Sequence, residues 1–127
     1  MRTVYIVDDS QAVRERLIAI ISEVEGITVA GDSGDPNEAV DAIRRLHPDV
    51  VILDIRMPGM SGIQALRKIK QGQRAPVVLM LTNYPFGQYR RESAEAGADY
   101  FLNKSTEFEK INEILAKIVQ SDLHSDN

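Results

Sequence analysis

The chain has 127 residues, 43% apolar and 27% charged, with a formal net charge of −4 and no cysteine. That length supports one domain with a real core and is too short for two. The composition excludes disulfide frameworks and thiolate metal sites, and the acidic balance argues against a nucleic-acid surface, which needs clustered Lys and Arg.

No apolar run approaches the ~18 residues of a membrane span. The start, Met1-Arg2-Thr3, leads directly into a strand pattern and leaves no room for a signal peptide. A cytoplasmic location and no membrane contact are therefore expected.

Residues 3–7 are rich in β-formers and end at Asp8 and Asp9. From Ser10 the period changes: Val13, Leu17, Ile20, Ile21 and Val24 share one helical face, and Gly26 is the expected stop. Residues 27–30 read as a second strand ending at Gly31, Asp32, Ser33 and Gly34. Asp35 can cap the next helix, Pro36 suits its first position, and Glu38 can close a capping box. Ala39, Val40, Ile43 and Leu46 form its apolar face. Pro48 ends it, because the residue before a proline avoids the α region.

Residues 50–53 are four apolar residues that run into Asp54, followed by a Pro58-Gly59 turn. A short apolar run bounded by turn signals reads as a buried parallel strand. Ile63, Leu66 and Ile69 mark a third helix closed by Gly72. Residues 76–82 form a fourth strand ending in the Thr82 hydroxyl, and residues 85–96 a fourth helix, the least apolar, closed by Gly97. Residues 99–103 form a fifth strand, followed at once by Lys104. Thr106 and Glu109 suggest a capping box ahead of a last helix with Phe108, Ile111, Ile114, Leu115 and Ile118 on its face. Residues 121–127 are polar and read as a frayed tail.

Five strands alternating with five helices predict an α/β fold: a doubly wound, five-stranded parallel sheet of flavodoxin-like order 2-1-3-4-5. That order gathers Asp8, Asp9, Asp54, Thr82 and Lys104 at the carboxyl edge of the strands, where open α/β sheets bind ligands. Three crowded carboxylates must protonate or share a cation. With no His or Cys nearby in sequence, hard oxygen ligands favour Mg²⁺. Asp carboxylates serve as nucleophiles that form aspartyl phosphate, and phosphoryl transfer depends mostly on positioning and charge neutralisation. Lys104 could neutralise phosphoryl oxygens, and Thr82 could donate to one. Two acids also suit a helix N-cap region, but Asp8 and Asp9 together with Asp54 exceed what capping needs.

The set Asp8-Asp9, Asp54 through Gly59 with Gly62 beyond, Thr82 and Lys104 resembles the receiver (response-regulator) domain of two-component signalling, the CheY-like fold. The resemblance covers residues 3 to about 120, so 1–120 are expected as the receiver domain and 121–127 as the tail. It implies that Asp54 is the phosphoacceptor, Asp9 a direct metal ligand and Asp8 a ligand through water, with the backbone carbonyl of Arg56 completing the Mg²⁺ site. Thr82 matches the switch hydroxyl, Lys104 the phosphate-pairing lysine, and Phe101 the aromatic that changes rotamer on activation, with Tyr100 competing for that position. His47 and His124 read as surface residues.

Two positions depart from the family pattern. Ser105 stands where many receivers carry proline after a cis bond; a non-proline cis bond costs ~2.5–4 kcal/mol, so a trans bond is expected. A polar residue after the lysine resembles the subfamily that often carries a LuxR-type DNA-binding domain, and no such helix-turn-helix is expected here after the last helix. Arg56 is the second departure. Its side chain is expected at the mouth of the site, pairing with or shielding the phosphoryl group, and Tyr84 could add to the shield.

The expectation is a stand-alone signalling switch, phosphorylated by a sensor histidine kinase or phosphotransfer protein, that catalyses only its own phosphorylation and dephosphorylation. Output would pass to a downstream protein or a homodimer through the fourth helix, fifth strand and fifth helix, without direct DNA binding. A phosphorelay shuttle, a phosphate sink or a pseudo-receiver scaffold are the alternatives. A haloacid-dehalogenase-type phosphatase would need an acid where Arg56 stands. In an FMN binder, Asp8 and Asp9 would repel the phosphate, and the chain has no tryptophan.

Overall fold

The computed structural model describes residues 1–72, 74–84 and 87–125, the last four by backbone alone. The elements are β1 Arg2–Val7, α1 Gln11–Ile21, β2 Ile27–Ser33, α2 Pro36–Leu46, β3 Val50–Leu53, α3 Gly62–Lys70, β4 Val77–Thr82, α4 Gly87–Glu95, β5 Tyr100–Asn103 and α5 Lys110–Ser125. The strands form one sheet in the order β2-β1-β3-β4-β5, and every pairing is parallel, as expected.

Alternation along each strand splits the core into two layers. Tyr5, Val7, Val51, Leu53, Val78 and Met80 face α2 and α3. Val4, Ile6, Val50, Ile52, Leu79 and Leu81 face α1 and α5. All four β3 residues are buried, because helices cover both faces of a central parallel strand. Hydrophobic burial on both sides holds the middle strands still, so the residues that follow β1 and β3 leave the sheet at defined points.

Several boundaries differ from the sequence reading. β2 does not stop at Ala30. It runs to Ser33 with a register shift, Val4 pairing Val29 and Tyr5 pairing Gly31. Gly31 sits inside the strand because a Cβ there would lie 2.8 Å from the Tyr5 ring, a close approach of the kind that glycine in a strand often marks. α1 ends at Ile21 instead of reaching Gly26; Ser22 caps it, and its N–H donates to the Ile18 carbonyl. Val24 still packs on the α1/α5 layer from the turn that follows.

Asp35 caps α2 as expected, accepting from the Asn37 N–H. His47, exposed, leaves the helix in the left-handed conformation (φ 49°) just before Pro48. A capping box is present at α3, where the Ser61 hydroxyl accepts from the Gln64 N–H and the Gln64 amide oxygen from the Ser61 N–H. The one expected from Thr106 and Glu109 does not start α5, which begins at Lys110. The Glu107 side chain instead folds back to accept from the Asn103 N–H at 3.0 Å, so residues 104–109 form turns. α5 runs on to Ser125, through most of the segment read as a tail; extending a formed helix gains one hydrogen bond for each residue fixed. The expected helix start at Pro85, the His124 side chain and the last two tail residues lie outside the described residues.

Gly62 shows how tightly the loop after β3 is drawn in. A Cβ on it would overlap the backbone carbonyl of Asp54, and its N–H donates to the Ile55 carbonyl at 2.6 Å. The start of α3 therefore closes directly over the end of β3. Gly62→Ala is expected to cost about 3 kcal/mol, the upper end of overpacking, measured as a lower urea midpoint with an unchanged m-value.

Candidate functional site

The carboxyl ends of β1, β3, β4 and β5 meet at one edge. Asp8 and Asp9 follow β1, Asp54 follows β3, Thr82 ends β4, and Lys104 follows β5. Carboxylate oxygens of Asp8, Asp9 and Asp54 lie within 4.8 Å of one another. Asp8 is 2% exposed, Asp54 6%, and Asp9 is open to solvent. The structure thus brings together the three acids, the hydroxyl and the lysine singled out from the sequence.

The Lys104 ammonium bridges the two buried acids, donating to Asp8 Oδ2 at 2.7 Å and to Asp54 Oδ2 at 3.2 Å. Asp8 Oδ1 accepts from the Ser10 N–H at 2.9 Å, and Asp54 Oδ1 from the Ile55 N–H at 2.8 Å. Burial pushes the Asp54 carboxyl up; Lys104 pulls it down and the Asp8 charge pushes it up again, and the net shift is upward. Burial alone would lower the Lys104 ammonium. Its hydrogen bond to Asp8 and the charges of Asp54 and Asp8 outweigh that and hold it above the usual lysine value.

Thr82 is fully buried. Its hydroxyl accepts from the Tyr84 N–H at 3.0 Å, which leaves the hydroxyl proton to donate, and its carbonyl accepts from the Lys104 N–H at 2.7 Å. One residue thus carries a candidate donor and fixes the backbone from which the lysine reaches in. Among the described residues no peptide bond is cis, so Lys104–Ser105 is trans. Ser105 uses what proline would lack: its N–H donates to Asn103 Oδ1 at 2.8 Å, and its hydroxyl to Asn83 Oδ1 at 3.2 Å. The second bond ties the loops after β4 and β5 together.

Arg56 is exposed in the loop after β3, with its guanidinium 4.3 Å from the centre of the Tyr84 ring. The two residues expected to shield the site touch each other. Phe101 and Tyr100 separate by strand alternation. Phe101 pairs with Met80 and packs half-buried on the α2/α3 layer, with Arg90 of α4 4.6 Å from its ring centre; Tyr100 packs on the opposite layer.

Sequence reasoning missed Arg14 and Asp32. Arg14 donates to the Asp8 carbonyl at 2.6 Å and to Asp32 at 2.8 Å. The signal was a charged residue one helical turn past the acidic pair, and it was hidden because β2 was read as ending before Asp32.

The donor set suits a hard divalent cation: oxygen ligands from three acids, one of them exposed and one, Asp54, a buried carboxylate whose ionisation is disfavoured. The sign of that cost is testable. A carboxyl held above its unfolded value contributes stability that is fully present below the unfolded value, about 3.9, and lost as pH rises through the folded one. Ionised Asp54 therefore costs stability at neutral pH, and removing its charge leaves Lys104 still paired with Asp8. Asp54→Asn is expected to raise the urea midpoint at pH 7 in chelator, with the gain shrinking as pH falls through the carboxylate range.

Comparison with known proteins agrees with this geometry. Residues 4–116 match the family model described as the response regulator receiver domain. A protein-glutamate methylesterase/protein-glutamine glutaminase 1 from Methanosarcina mazei is 33% identical over 125 residues, covering 96% of this chain and 35% of that protein, so the chain spans about a third of its relative's length. The response regulator domain of Thermotoga maritima CheB superposes with a TM-score of 0.82 at 33% identity, over 94% of this chain and 95% of that one. A LuxR-family two-component response regulator from Aurantimonas superposes with a TM-score of 0.85 at 29% identity, over 94% and 85%. Among the described residues, no helix is long and apolar enough to cross a membrane.

Proposed function

The chain belongs to the response regulator receiver domain family of two-component signalling, and on that premise we propose that it is a cytoplasmic switch that accepts a phosphoryl group on Asp54 from the phospho-histidine of a sensor kinase or phosphotransfer protein. The observation that carries this reading is the Lys104 bridge: one ammonium held between two buried carboxylates, with a third acid open to solvent beside them.

In the proposed reaction an Asp54 carboxylate oxygen attacks the phosphorus. The phosphorus–nitrogen bond to the donor imidazole breaks, and its electron pair stays on the imidazole nitrogen. The product is an acyl phosphate on Asp54 and a free donor histidine. Lys104 already contacts Asp54 Oδ2 and serves as the partner for a phosphoryl oxygen. The Thr82 hydroxyl donates to another, which draws the β4 end inward. Asp8, Asp9, Asp54 and the Arg56 carbonyl would hold Mg²⁺, which when bound supplies charge neutralisation for the phosphoryl oxygens.

A charge placed on Asp54 is read out at the adjacent surface of α4, β5 and α5. Phe101, half-buried between Met80 and Arg90, is the side chain whose rearrangement would report Thr82 moving. Output then passes through a protein partner or a homodimer. The chain acts on itself and on no separate substrate, and the activity named for the longer methylesterase relative is not carried over to it.

The direct test is intact mass after incubation with Mg²⁺ and acetyl phosphate, beside Asp54→Asn. One added phosphoryl group on the parent alone, abolished by chelator, is expected. No gain under conditions that label another receiver would make this chain a scaffold that binds partners without phosphate.

The Arg56–Tyr84 stack adds a second expectation. A guanidinium stacked on a ring, on the loops that follow β3 and β4, would cover the phosphoryl group and limit water access. Arg56→Ala is expected to lose phosphate several-fold faster than the parent, followed by the decay of the phosphorylated mass. An unchanged rate would remove the shielding role.

A further inference from the structure

Among the described residues, nothing bonds the Asp9 carboxylate. Its position is therefore set by its backbone, and that backbone hangs from the Asp8–Asp9 peptide. The peptide is planar, so whatever holds the Asp8 carbonyl orients the unit that carries Asp9. The holder is Arg14 of α1. Its Nη1 donates to the Asp8 carbonyl at 2.6 Å, and its Nε to Asp32 Oδ2 at 2.8 Å. On the other side, the Asp8 N–H donates to the Ser33 carbonyl at 3.1 Å. Both backbone polar groups of Asp8 are thus anchored to the end of β2, one directly and one through the guanidinium. Gly34 leaves room for this: a Cβ there would sit 2.9 Å from Arg14 Nη1 and 3.5 Å from the Asp8 carbonyl.

We propose that Arg14 is a positioning residue for cation binding at the acidic edge, fixing the Asp8–Asp9 peptide from the platform of Asp32, so that its loss weakens Mg²⁺ binding. The inference rests on the magnesium reading of the site given above. Arg14 touches no reacting atom. Its rigid fork suits it to the role, since two donors in fixed geometry engage two acceptors at once, where a lysine would engage them as a point charge.

Simple electrostatics predicts the opposite sign. A guanidinium beside a divalent-cation site repels the ion, so removing it would tighten binding, and removing Asp32 would loosen it. The two changes would then cancel in the double variant. If Arg14 works as a clamp, Arg14→Met loosens binding. Asp32→Asn loosens it less, and the double variant resembles Arg14→Met alone, because Asp32 acts through Arg14.

The experiment is calorimetric titration of the full chain with Mg²⁺ at neutral pH, for the parent, Arg14→Met, Asp32→Asn, the double variant and an Asp9→Asn control, with the metal-free urea midpoint of each. The expected result is that Arg14→Met raises the Mg²⁺ Kd on the order of tenfold, the lower end of what outer-shell partners of a metal site command, and that the double variant matches it. Arg14→Met binding Mg²⁺ as tightly as the parent or more tightly overturns the proposal, even if its urea midpoint falls, since that pattern describes a residue serving stability alone. Should Arg14→Met fail to unfold cooperatively, Arg14→Lys decides, since it keeps the charge and loses the fork: an unchanged Kd there also overturns the proposal. A parent that binds no Mg²⁺ overturns the magnesium reading itself and this inference with it, an outcome distinct from a parent that binds while its variants bind equally well.

Discussion

Two carboxylates buried to within a few per cent of full enclosure are the constraint on which the rest of this site depends. Ionised acids in that position are costly unless paired, and the Lys104 ammonium, at 2.7 Å from Asp8 and 3.2 Å from Asp54, supplies the pairing. The compensation is incomplete. One positive charge faces two buried acids and a third at the surface, and burial, with the Asp8 charge adding to it, leaves the Asp54 carboxyl shifted upward despite Lys104. An edge left short of positive charge suits a divalent cation, and in the proposed reaction the lysine already in contact with Asp54 would meet a phosphoryl oxygen.

The fold meets this constraint by controlling where four strands end. Burial on both faces fixes β1, β3 and β4, and the parallel register brings Val7 level with Leu53 and Leu53 with Met80. The acids that follow β1 and β3 therefore emerge side by side. β5 is less buried, and Lys104 is instead located by the bond from its N–H to the Thr82 carbonyl. Thr82 and Lys104 thus sit on the same strand pair that carries Phe101. Gly62 draws the start of α3 against the Asp54 carbonyl, and in the loops after β3 and β4 Arg56 and Tyr84 meet.

Much of this was legible in order along the chain, because it depends on period and punctuation. The apolar run 50–53 ending in Asp54, the Asp8-Asp9 pair after a β-rich run, and Lys104 after residues 99–103 each mark a strand end, and alternation with helices implies parallel pairing and hence convergence. What was misread depends on partners far away in sequence. The pattern ends β2 at a glycine, yet the Tyr5 ring requires that glycine within the strand. The pattern starts α5 at Thr106, yet Glu107 reaches back to Asn103. Tyr100 and Phe101 could not be separated by position, and the sheet separates them by the face each presents.

The sequence by itself determined the fold class and the acid–hydroxyl–lysine set, since hydrophobic periodicity and residue chemistry are properties of short segments, and the flavodoxin-like topology of that class carried the strand order. Only the tertiary structure decided the electrostatics and the supports: the Lys104 bridge, the buried state of Asp8 and Asp54, the Arg56–Tyr84 stack and the Arg14–Asp32 hold on the Asp8 carbonyl. The reason is physical. Desolvation and hydrogen-bond geometry depend on which groups meet within a few ångströms, and for Lys104 and Asp8, 96 residues apart in the chain, folding alone makes that meeting.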